Sequence, residues 1–408
     1  VGEAIITRRG GSGGLGEVIV EFDNFIPSDI DPSDKEIIHS TPTALSVARR
    51  NLVGASVGNY ALFAGGYTGT YSSTVDAYNT SLTHSTPTAL SVARRYLVGA
   101  SVGNYVLFAG GRQSSTYNTV DAYNTSLTRS TPTGLSVARS ALAGASVGNY
   151  ALFAGGWDAS STYRNNVDAY DTSLTQSTPT ALSVARNNLA GASIGDYALF
   201  AGGFGGSSYR NNVDAYNTSL TRSTPTVLSV ARGYLAGASV GNYALFAGGS
   251  GSSPTYKDTV DAYDTSLTRS TPLALSVARN NLAGASVGNY ALFAGGQSDS
   301  SSYSSTVDAY DISLTRSTPT VLSAASRYLA GASVGNYALF AGGQSDSSNY
   351  SDVVDAYAPP VLEARLYMPI GTKYKFGESE ETATTNEITV RVPITGYIKF
   401  KNGVIRNG

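Results

Sequence analysis

Ser46–Thr83 reads SVARRNLVGASVGNYALFAGGYTGTYSSTVDAYNTSLT, and the chain copies it with small edits almost to its end. The double glycine closing ALFAGG marks the beat at Gly65-Gly66, Gly110-Gly111, Gly155-Gly156, Gly202-Gly203, Gly248-Gly249, Gly295-Gly296 and Gly342-Gly343. Successive beats lie 45 to 47 residues apart, and a period in that range belongs to propellers and solenoids. Each copy parses into four short strands. LVGASV (Leu52–Val57) ends at Gly58-Asn59, a two-residue hairpin signal, and YALFAG (Tyr60–Gly65) follows. A variable Ser/Gly/Tyr loop leads to TVDAYN (Thr74–Asn79). The polar SLTHSTP (Ser81–Pro87) carries a proline suited to an outer edge strand. The first strand is rich in Gly, Ala and Ser, small enough to pack where blades converge on an axis. Seven four-stranded meanders predict an all-β, seven-bladed β-propeller over residues 36–357.

The ends of the repeat region predict how the ring closes. STPTALS first occurs at Ser40–Ser46, ahead of the first double glycine, while the last copy stops at Val354-Asp355-Ala356-Tyr357 without a fourth strand. The N-terminal IIHSTPT is therefore expected to supply the outer strand of blade seven, removing two exposed edges.

These residues resemble kelch repeats. An Arg precedes strand one (Arg49, Arg94, Arg139, Arg186, Arg232, Arg279), a double Gly ends strand two, and Tyr followed by Asn or Asp ends strand three, as at Tyr78-Asn79 and Tyr170-Asp171. The usual Trp of strand four is replaced by Leu (Leu82, Leu127, Leu174), and Ser326 stands where a seventh Arg belongs.

Residues 1–35 lie outside the repeat. Arg8-Arg9 and the glycine run Gly10–Gly14 read as a flexible arm, EVIVEF (Glu17–Phe22) as a strand, and the Pro/Asp-rich stretch after it as a linker. Residues 358–408 open with Pro359-Pro360 and read as a small β-rich appendage with strands in LEARLYMPI, KYKF, EITVRVPI and YIKFKNG.

Composition narrows the function classes. The 408 residues are 41% hydrophobic and only 14% charged, with a net charge of -2. That balance gives no electrostatic footprint for nucleic acid, and no apolar run reaches the ~18 residues of a membrane span. Without cysteine there is no thiolate chemistry, disulfide or Cys-ligated zinc. The start lacks the apolar core of a secretory signal, so if the chain leaves its cell, lysis or another route is expected. The two histidines, His39 and His84, fall at the strand-four position filled elsewhere by Arg129 or Gln176, and read as exposed surface residues rather than bases or metal ligands. The Asp of each VDAY (Asp76, Asp121, Asp168, Asp214, Asp261, Asp308, Asp355) reads as a structural hydrogen-bond acceptor. SDSSSY and SDSSNY hold oxygen ligands but no spaced carboxylate set, leaving calcium open. No catalytic residue, metal site or cofactor is expected.

The seven copies differ in two places. One is the pair after the Arg: Arg50-Asn51, Arg95-Tyr96, Ser140-Ala141, Asn187-Asn188, Gly233-Tyr234, Asn280-Asn281 and Arg327-Tyr328. The other is the residue opening the loop between strands two and three: Tyr67, Arg112, Trp157, Phe204, Ser250, Gln297 and Gln344. In an up-and-down blade both places emerge on one face. The near-constant SVGNY and TSLT turns emerge on the other. A ligand-binding face is therefore expected from Arg50, Asn51, Arg95, Tyr96, Asn187, Asn188, Tyr234, Asn280, Asn281, Arg327, Tyr328, Tyr67, Arg112, Trp157 and Phe204. Tyr, Ser, Gly and Asn are the adaptable residues of binding loops. The Tyr recurring in each such loop (Tyr71, Tyr117, Tyr163, Tyr209, Tyr256, Tyr303, Tyr350) reads as packing.

IITRRGGSGG at the start resembles the N-termini of structural proteins from phages of Gram-positive bacteria. That resemblance implies a multi-copy virion protein, made in the host cytoplasm without a signal peptide. Its arm and appendage would dock on other virion proteins while the propeller contacts a host-surface glycan or protein. A purely structural or decoration role stays open, as does a bacterial surface adhesin or glycan-acting enzyme.

Overall fold

The second strand of each blade is an unbroken apolar run because it is covered on both sides. In blade one, Ala61 and Phe63 of Tyr60–Ala64 pack toward blade seven, against Leu339 and Ala356. Leu62 and Ala64 pack toward blade two, against Val106 and Phe108. A strand buried on both faces loses the alternation of a half-exposed one. The third strand, Val75–Asn79, follows the same logic, with Tyr78 lying edge-on to Phe63 at 6.0 Å between ring centres.

The computed structural model describes residues 36–367 apart from residue 347, together with the strands Ala4–Arg9, Glu17–Phe22, Lys373–Phe376, Ser379–Thr382, Glu387–Pro393 and Ile398–Phe400. Two compact units result, His39–Ala358 on the one hand and Val1–Ile38 with Pro359–Gly408 on the other.

The larger unit is an all-β, seven-bladed propeller. Each blade is a four-stranded antiparallel sheet in chain order from the axis outward, as in Val53–Val57, Tyr60–Ala64, Val75–Asn79 and His84–Ser85. Blade seven takes its outer strand, Ile38–Ser40, from the start of the repeat region and its other three from Ala330–Val334, Tyr337–Ala341 and Val354–Ala358. The ring therefore closes as the displaced STPTALS predicted.

Strand one owes its small residues to the axis. A Cβ on Gly191 would stand 2.2 Å from the Gly144 carbonyl oxygen of the preceding blade, and one on Gly237 would stand 2.3 Å from that of Gly191. The serine two residues on ties neighbouring blades together. Ser101 Oγ donates to the Ser56 carbonyl at 2.5 Å, Ser146 to Ser101 at 2.7 Å, and Ser56 closes the circle onto Ser333. Gly65, with a φ of +66°, ends strand two where any Cβ would meet the Arg94 carbonyl oxygen of the next blade at 2.6 Å.

Two sequence expectations need correction. Outside blade seven the outer strand is two residues long, as at His84–Ser85, not the seven of Ser81–Pro87. Asn79 Oδ1 accepts from the amides of Ser81 and Thr83, both at 2.9 Å, and this side-chain turn uses up the residues before His84. Leu82, Leu127 and Leu174 accordingly lie in that turn rather than in strand four, in the left-handed conformation with φ of +60° to +62°. Their side chains pack onto the core between blades.

In the smaller unit, Ala4–Arg9 pairs antiparallel with Glu17–Phe22, so Arg8 and Arg9 belong to a strand and not to a flexible arm. That hairpin is flanked in parallel by Lys373–Phe376 and Ile398–Phe400, giving a five-stranded sheet that joins both ends of the chain. Val361–Tyr367 pairs with Glu387–Pro393. The glycine run 10–14 and the linker 23–35 lie outside the described residues.

Candidate functional site

The variable pair and the variable loop are physically joined in every blade. Residue one of the pair forms a backbone bridge to the loop-opening residue: Arg50 to Tyr67, Arg95 to Arg112, Ser140 to Trp157, Asn187 to Phe204, Gly233 to Ser250, Asn280 to Gln297 and Arg327 to Gln344. In most blades the loop-opening residue bridges in turn to the recurrent loop tyrosine, as Tyr67 does to Tyr71 and Gln344 to Tyr350.

Residue two of the pair lines the axial mouth. Asn51, Tyr96, Ala141, Asn188, Tyr234, Asn281 and Tyr328 surround a depression of about 210 Å³, floored by Leu52, Leu97, Leu142, Leu189, Leu235, Leu282 and Leu329. The pair does not line this mouth as a whole. The structure divides it, one residue pointing the chain inward and the other tying it outward to the loop.

All seven mouth residues are left-handed, with φ between +49° and +57°. A run of main-chain hydrogen bonds from blade to blade holds them there. Asn51 N donates to Tyr328 O at 3.0 Å, Tyr328 N to Asn281 O at 3.1 Å, Asn281 N to Tyr234 O at 3.0 Å, Tyr234 N to Asn188 O at 2.9 Å, and Ala141 N to Tyr96 O at 3.0 Å. Asn tolerates this conformation far better than a bulky residue does. Asn51, Asn188 and Asn281 therefore suit the backbone, while Tyr96, Tyr234 and Tyr328 oppose it. Burial raises the Tyr234 phenol above its ordinary value, and the nearby Tyr209, Tyr328, Tyr96 and Tyr163 add to the shift. Burial raises Tyr328 likewise.

An arc of arginines on aromatic rings runs beside the mouth. The Arg327 guanidinium lies 4.7 Å from the ring centre of Tyr303 and 4.9 Å from that of Tyr328. Arg50 lies 5.3 Å from Tyr350 and 5.6 Å from Tyr67. Arg95 lies 4.8 Å from Tyr67, 5.0 Å from Tyr96 and 5.6 Å from Tyr71. Arg112 stands 5.3 Å from Trp157. Gln344 Oε1 accepts from Arg50 Nη1 at 2.5 Å and from Arg327 Nη2 at 3.3 Å, so one amide oxygen draws two guanidinium groups together. Phe204 lies across the mouth, against Tyr163 and Tyr209. Asn187 is buried, and Asn280 bonds Ser250 Oγ at 2.6 Å.

Sequence reasoning missed part of this. Gln297 and Gln344 anchor Arg327 and Arg50, and Tyr71, Tyr303 and Tyr350, read as packing residues, form the faces beneath the arginines. Their signal was present, since both glutamines occupy the loop-opening position that holds Tyr67 and Trp157 elsewhere.

The histidines also differ from expectation. His84 Nε2 lies 2.7 Å from Asp76, and its side chain is only 17% exposed. His39 makes the same contact with Asp355. The VDAY carboxylate draws the strand-four side chain inward, as Gln176 does on Asp168 at 2.5 Å. Each such Asp except Asp355 also pairs with the buried Arg of its own blade, from 2.6 Å for Arg49–Asp76 to 2.8 Å for Arg94–Asp121. The Asp is thus half of a buried ion pair as well as an acceptor. Among the described residues no group of three or more His, Cys, Asp or Glu side chains is disposed to hold a metal ion, and no helix is long and apolar enough to cross a membrane.

No protein-family model matches the chain, and no curated protein matches it. Among solved structures, one titled "Structure of YjhT" is similar, with a TM-score of 0.51 at 12% identity over 79% of this chain and 97% of that one. At that identity the likeness shows the fold alone, a seven-bladed propeller.

Proposed function

We propose that this chain is a non-enzymatic virion structural protein of a phage with a Gram-positive host, and that the variable face of its propeller binds a host-surface glycan or protein. One observation carries the binding half. Tyr96, Tyr234 and Tyr328 stand around the mouth in a backbone conformation that disfavours them, where three sister blades carry the favourable Asn. Strain of this kind collects at ligand sites, where selection for a contact outweighs its cost in stability. Tyrosine also offers a large, rigid, amphipathic contact surface.

The virion half rests on the sequence, namely the IITRRGGSGG start and the near-identical internal duplications. The kelch-like reading rests on the double glycines and on the Arg and Tyr positions around them. The absence of a catalytic role is inferred from where the chemistry-bearing side chains are spent. Both histidines are engaged with Asp76 and Asp355 at the outer strands, and the mouth presents Asn, Tyr, Ala and Leu, with arginines beside it. The remainder of the chain would dock on other virion proteins, and display in many copies would convert weak sites into avidity.

The test is adsorption of the full chain, displayed multivalently, to Gram-positive cells, beside a variant carrying Tyr96→Asn, Trp157→Ser and Tyr234→Asn. The wild type is expected to bind and the variant to lose at least tenfold in affinity with unchanged folding. Equal binding by both, or binding by neither, removes the receptor reading and leaves a decoration or docking role.

A further inference from the structure

We propose that the arc of Arg327, Arg50 and Arg95 is a subsite for an acidic group, a carboxylate or a phosphate, carried on a polyhydroxylated chain. The inference deepens the binding reading above and rests on it.

Charge accounting across the propeller singles these side chains out, together with Arg112, which stacks on Trp157 beside them and likewise faces no carboxylate among the described residues. The buried arginines Arg49, Arg94, Arg139, Arg186, Arg232 and Arg279 each face an Asp within 2.6 to 2.8 Å. Arg129, Arg222, Arg269 and Arg316 lie within 3.6 to 3.8 Å of the same carboxylates, and Arg164 pairs with Asp158. Arg210 donates to the Gly205 carbonyl. Among the described residues no such carboxylate partner faces Arg50, Arg95 or Arg327.

Their surroundings make that lack of a counter-charge costly. Arg50 and Arg327 converge on a single neutral acceptor, Gln344 Oε1. Two like charges held on one uncharged oxygen repel, and a shared anion would relieve them. Arg95 is held between tyrosine rings alone, and its Nε is buried without a hydrogen-bond partner. Ring stacking fixes the plane of the Arg95 guanidinium for bidentate recognition of a carboxylate or phosphate, whereas Arg327 donates to the neutral oxygens of Gln297 and Gln344, which an anion would share or displace. The loop carboxylates of neighbouring blades are turned to their own loops. Asp299 accepts from the amides of Ser301 and Ser302, and Asp346 from those of Ser348 and Asn349.

The mouth beside the arc sets the rest of the ligand. Its ~210 Å³ falls below the ~300–1,000 Å³ of pockets that engulf a drug-sized ligand, so it takes the tip or one ring of a chain. Tyr96 and Tyr328 each serve both the arc and the mouth rim, with one face under an arginine.

The single tryptophan, Trp157, sits on this face against Arg112, so its fluorescence reports on the site. The full chain would be titrated with three probes: an oligosaccharide containing glucuronic acid, poly(glycerol phosphate), and a neutral dextran oligomer. At least one acidic probe is expected to bind with a dissociation constant below about 1 mM, at least tenfold more tightly than dextran, and more weakly as salt rises. Which acidic probe wins distinguishes carboxylate from phosphate. An Arg50→Gln, Arg95→Gln, Arg327→Gln variant should lose at least tenfold, with an unchanged thermal unfolding midpoint. No acidic binding below that limit, a preference for dextran, or an unaffected variant overturns the proposal. If the arginine variant still adsorbs to cells while the tyrosine variant does not, the binding face stands and only the acidic ligand is wrong. If both variants adsorb like the wild type, both readings fall.

Discussion

His39 Nε2 lies 2.8 Å from the carboxylate of Asp355, the one VDAY aspartate whose blade supplies no arginine. Ser326 stands at that place, buried at 2% exposure, and Asp355 otherwise accepts from Ser323 through its amide at 3.0 Å and its hydroxyl at 2.6 Å. His39 comes from the strand that closes the ring, so this contact joins the two ends of the propeller. In blade one the equivalent His84 shares Asp76 with Arg49 at 2.6 Å. His39→Ala should therefore destabilise more than His84→Ala, by about 1–2 kcal/mol, since the buried Asp355 carboxylate loses an imidazole partner with no arginine of its blade to take its place. Denaturant unfolding of the two variants side by side checks the difference. Adding Ser326→Arg to His39→Ala should restore most of the loss.

Arg94 and Asp121 allow the buried pairs to be taken apart. Arg94 Nη2 donates to Asp121 at 2.8 Å and to the Phe108 carbonyl at 3.1 Å, and both side chains are fully buried. Burial presses the Arg94 guanidinium below its usual range, and Asp121 opposes that pressure. Arg94→Met leaves Asp121 buried and unpaired and should cost about 3–5 kcal/mol. Arg94→Met with Asp121→Asn should recover a large share, since the amide keeps an oxygen for the Ser91 amide, 2.9 Å away, and carries no charge. A double cycle in which the two changes simply add would show the pair to be uncoupled.

Stability should fall on both flanks of the pH range. Burial raises the phenols of Tyr78, Tyr123, Tyr170, Tyr216, Tyr263, Tyr310 and Tyr357 above their ordinary 10.0, with the neighbouring VDAY aspartate adding to each. A raised folded value means that stability is complete below pH 10 and is lost as pH climbs toward the folded values. Each tyrosine contributes a slope of up to ~1.4 kcal/mol per pH unit, and the repeats multiply it. Tyr123→Phe should make the alkaline loss shallower by one tyrosine's share. On the acid side burial works to raise Asp76, but Arg49 and hydrogen bonds from Ser46 and His84 outweigh it and hold the carboxyl below 3.8. Its contribution is present above that value and disappears as pH falls below it. Denaturation midpoints followed from pH 2 to 12 would show both flanks, and an alkaline plateau would contradict the tyrosine assignment.

The blade count and the closing strand were legible because periodicity reports spacing. Ser40–Ser46 and Val354–Tyr357 are complementary remnants of one unit, whatever the geometry. The variable face was legible as a set of positions, because both variable stretches must leave a meander on the same side. What periodicity does not report is which side chains meet around the axis. Arg50 and Gln344 are 294 residues apart yet share a hydrogen bond. The left-handed turn of Tyr96 is likewise set by a neighbouring blade, through the Ala141 amide on its carbonyl. The histidines were misplaced for a related reason. A polar residue on an edge strand reads as exposed until the buried Asp76 beneath it is seen.

Tyr96, Tyr234 and Tyr328 offer the sharpest division between packing and function. Each adopts a φ of +56° to +57°, and each has Asn51, Asn188 or Asn281 as its counterpart in other blades with φ of +49° to +53°. If the tyrosines were retained for the fold, replacing them with asparagine would weaken the propeller. The backbone points the other way, because Asn relieves strain in the left-handed region and Tyr234 is already 38% exposed. Each Tyr→Asn change should hold stability constant or raise it by a few tenths of a kcal/mol to about 1 kcal/mol. The run of main-chain hydrogen bonds through Asn188 and Asn281 needs no side chain and should survive. Binding to the cell surface should fall at the same time, at least tenfold for the triple variant. Stability gained together with affinity lost marks residues kept for a ligand. Stability lost with affinity intact would return these tyrosines to the core.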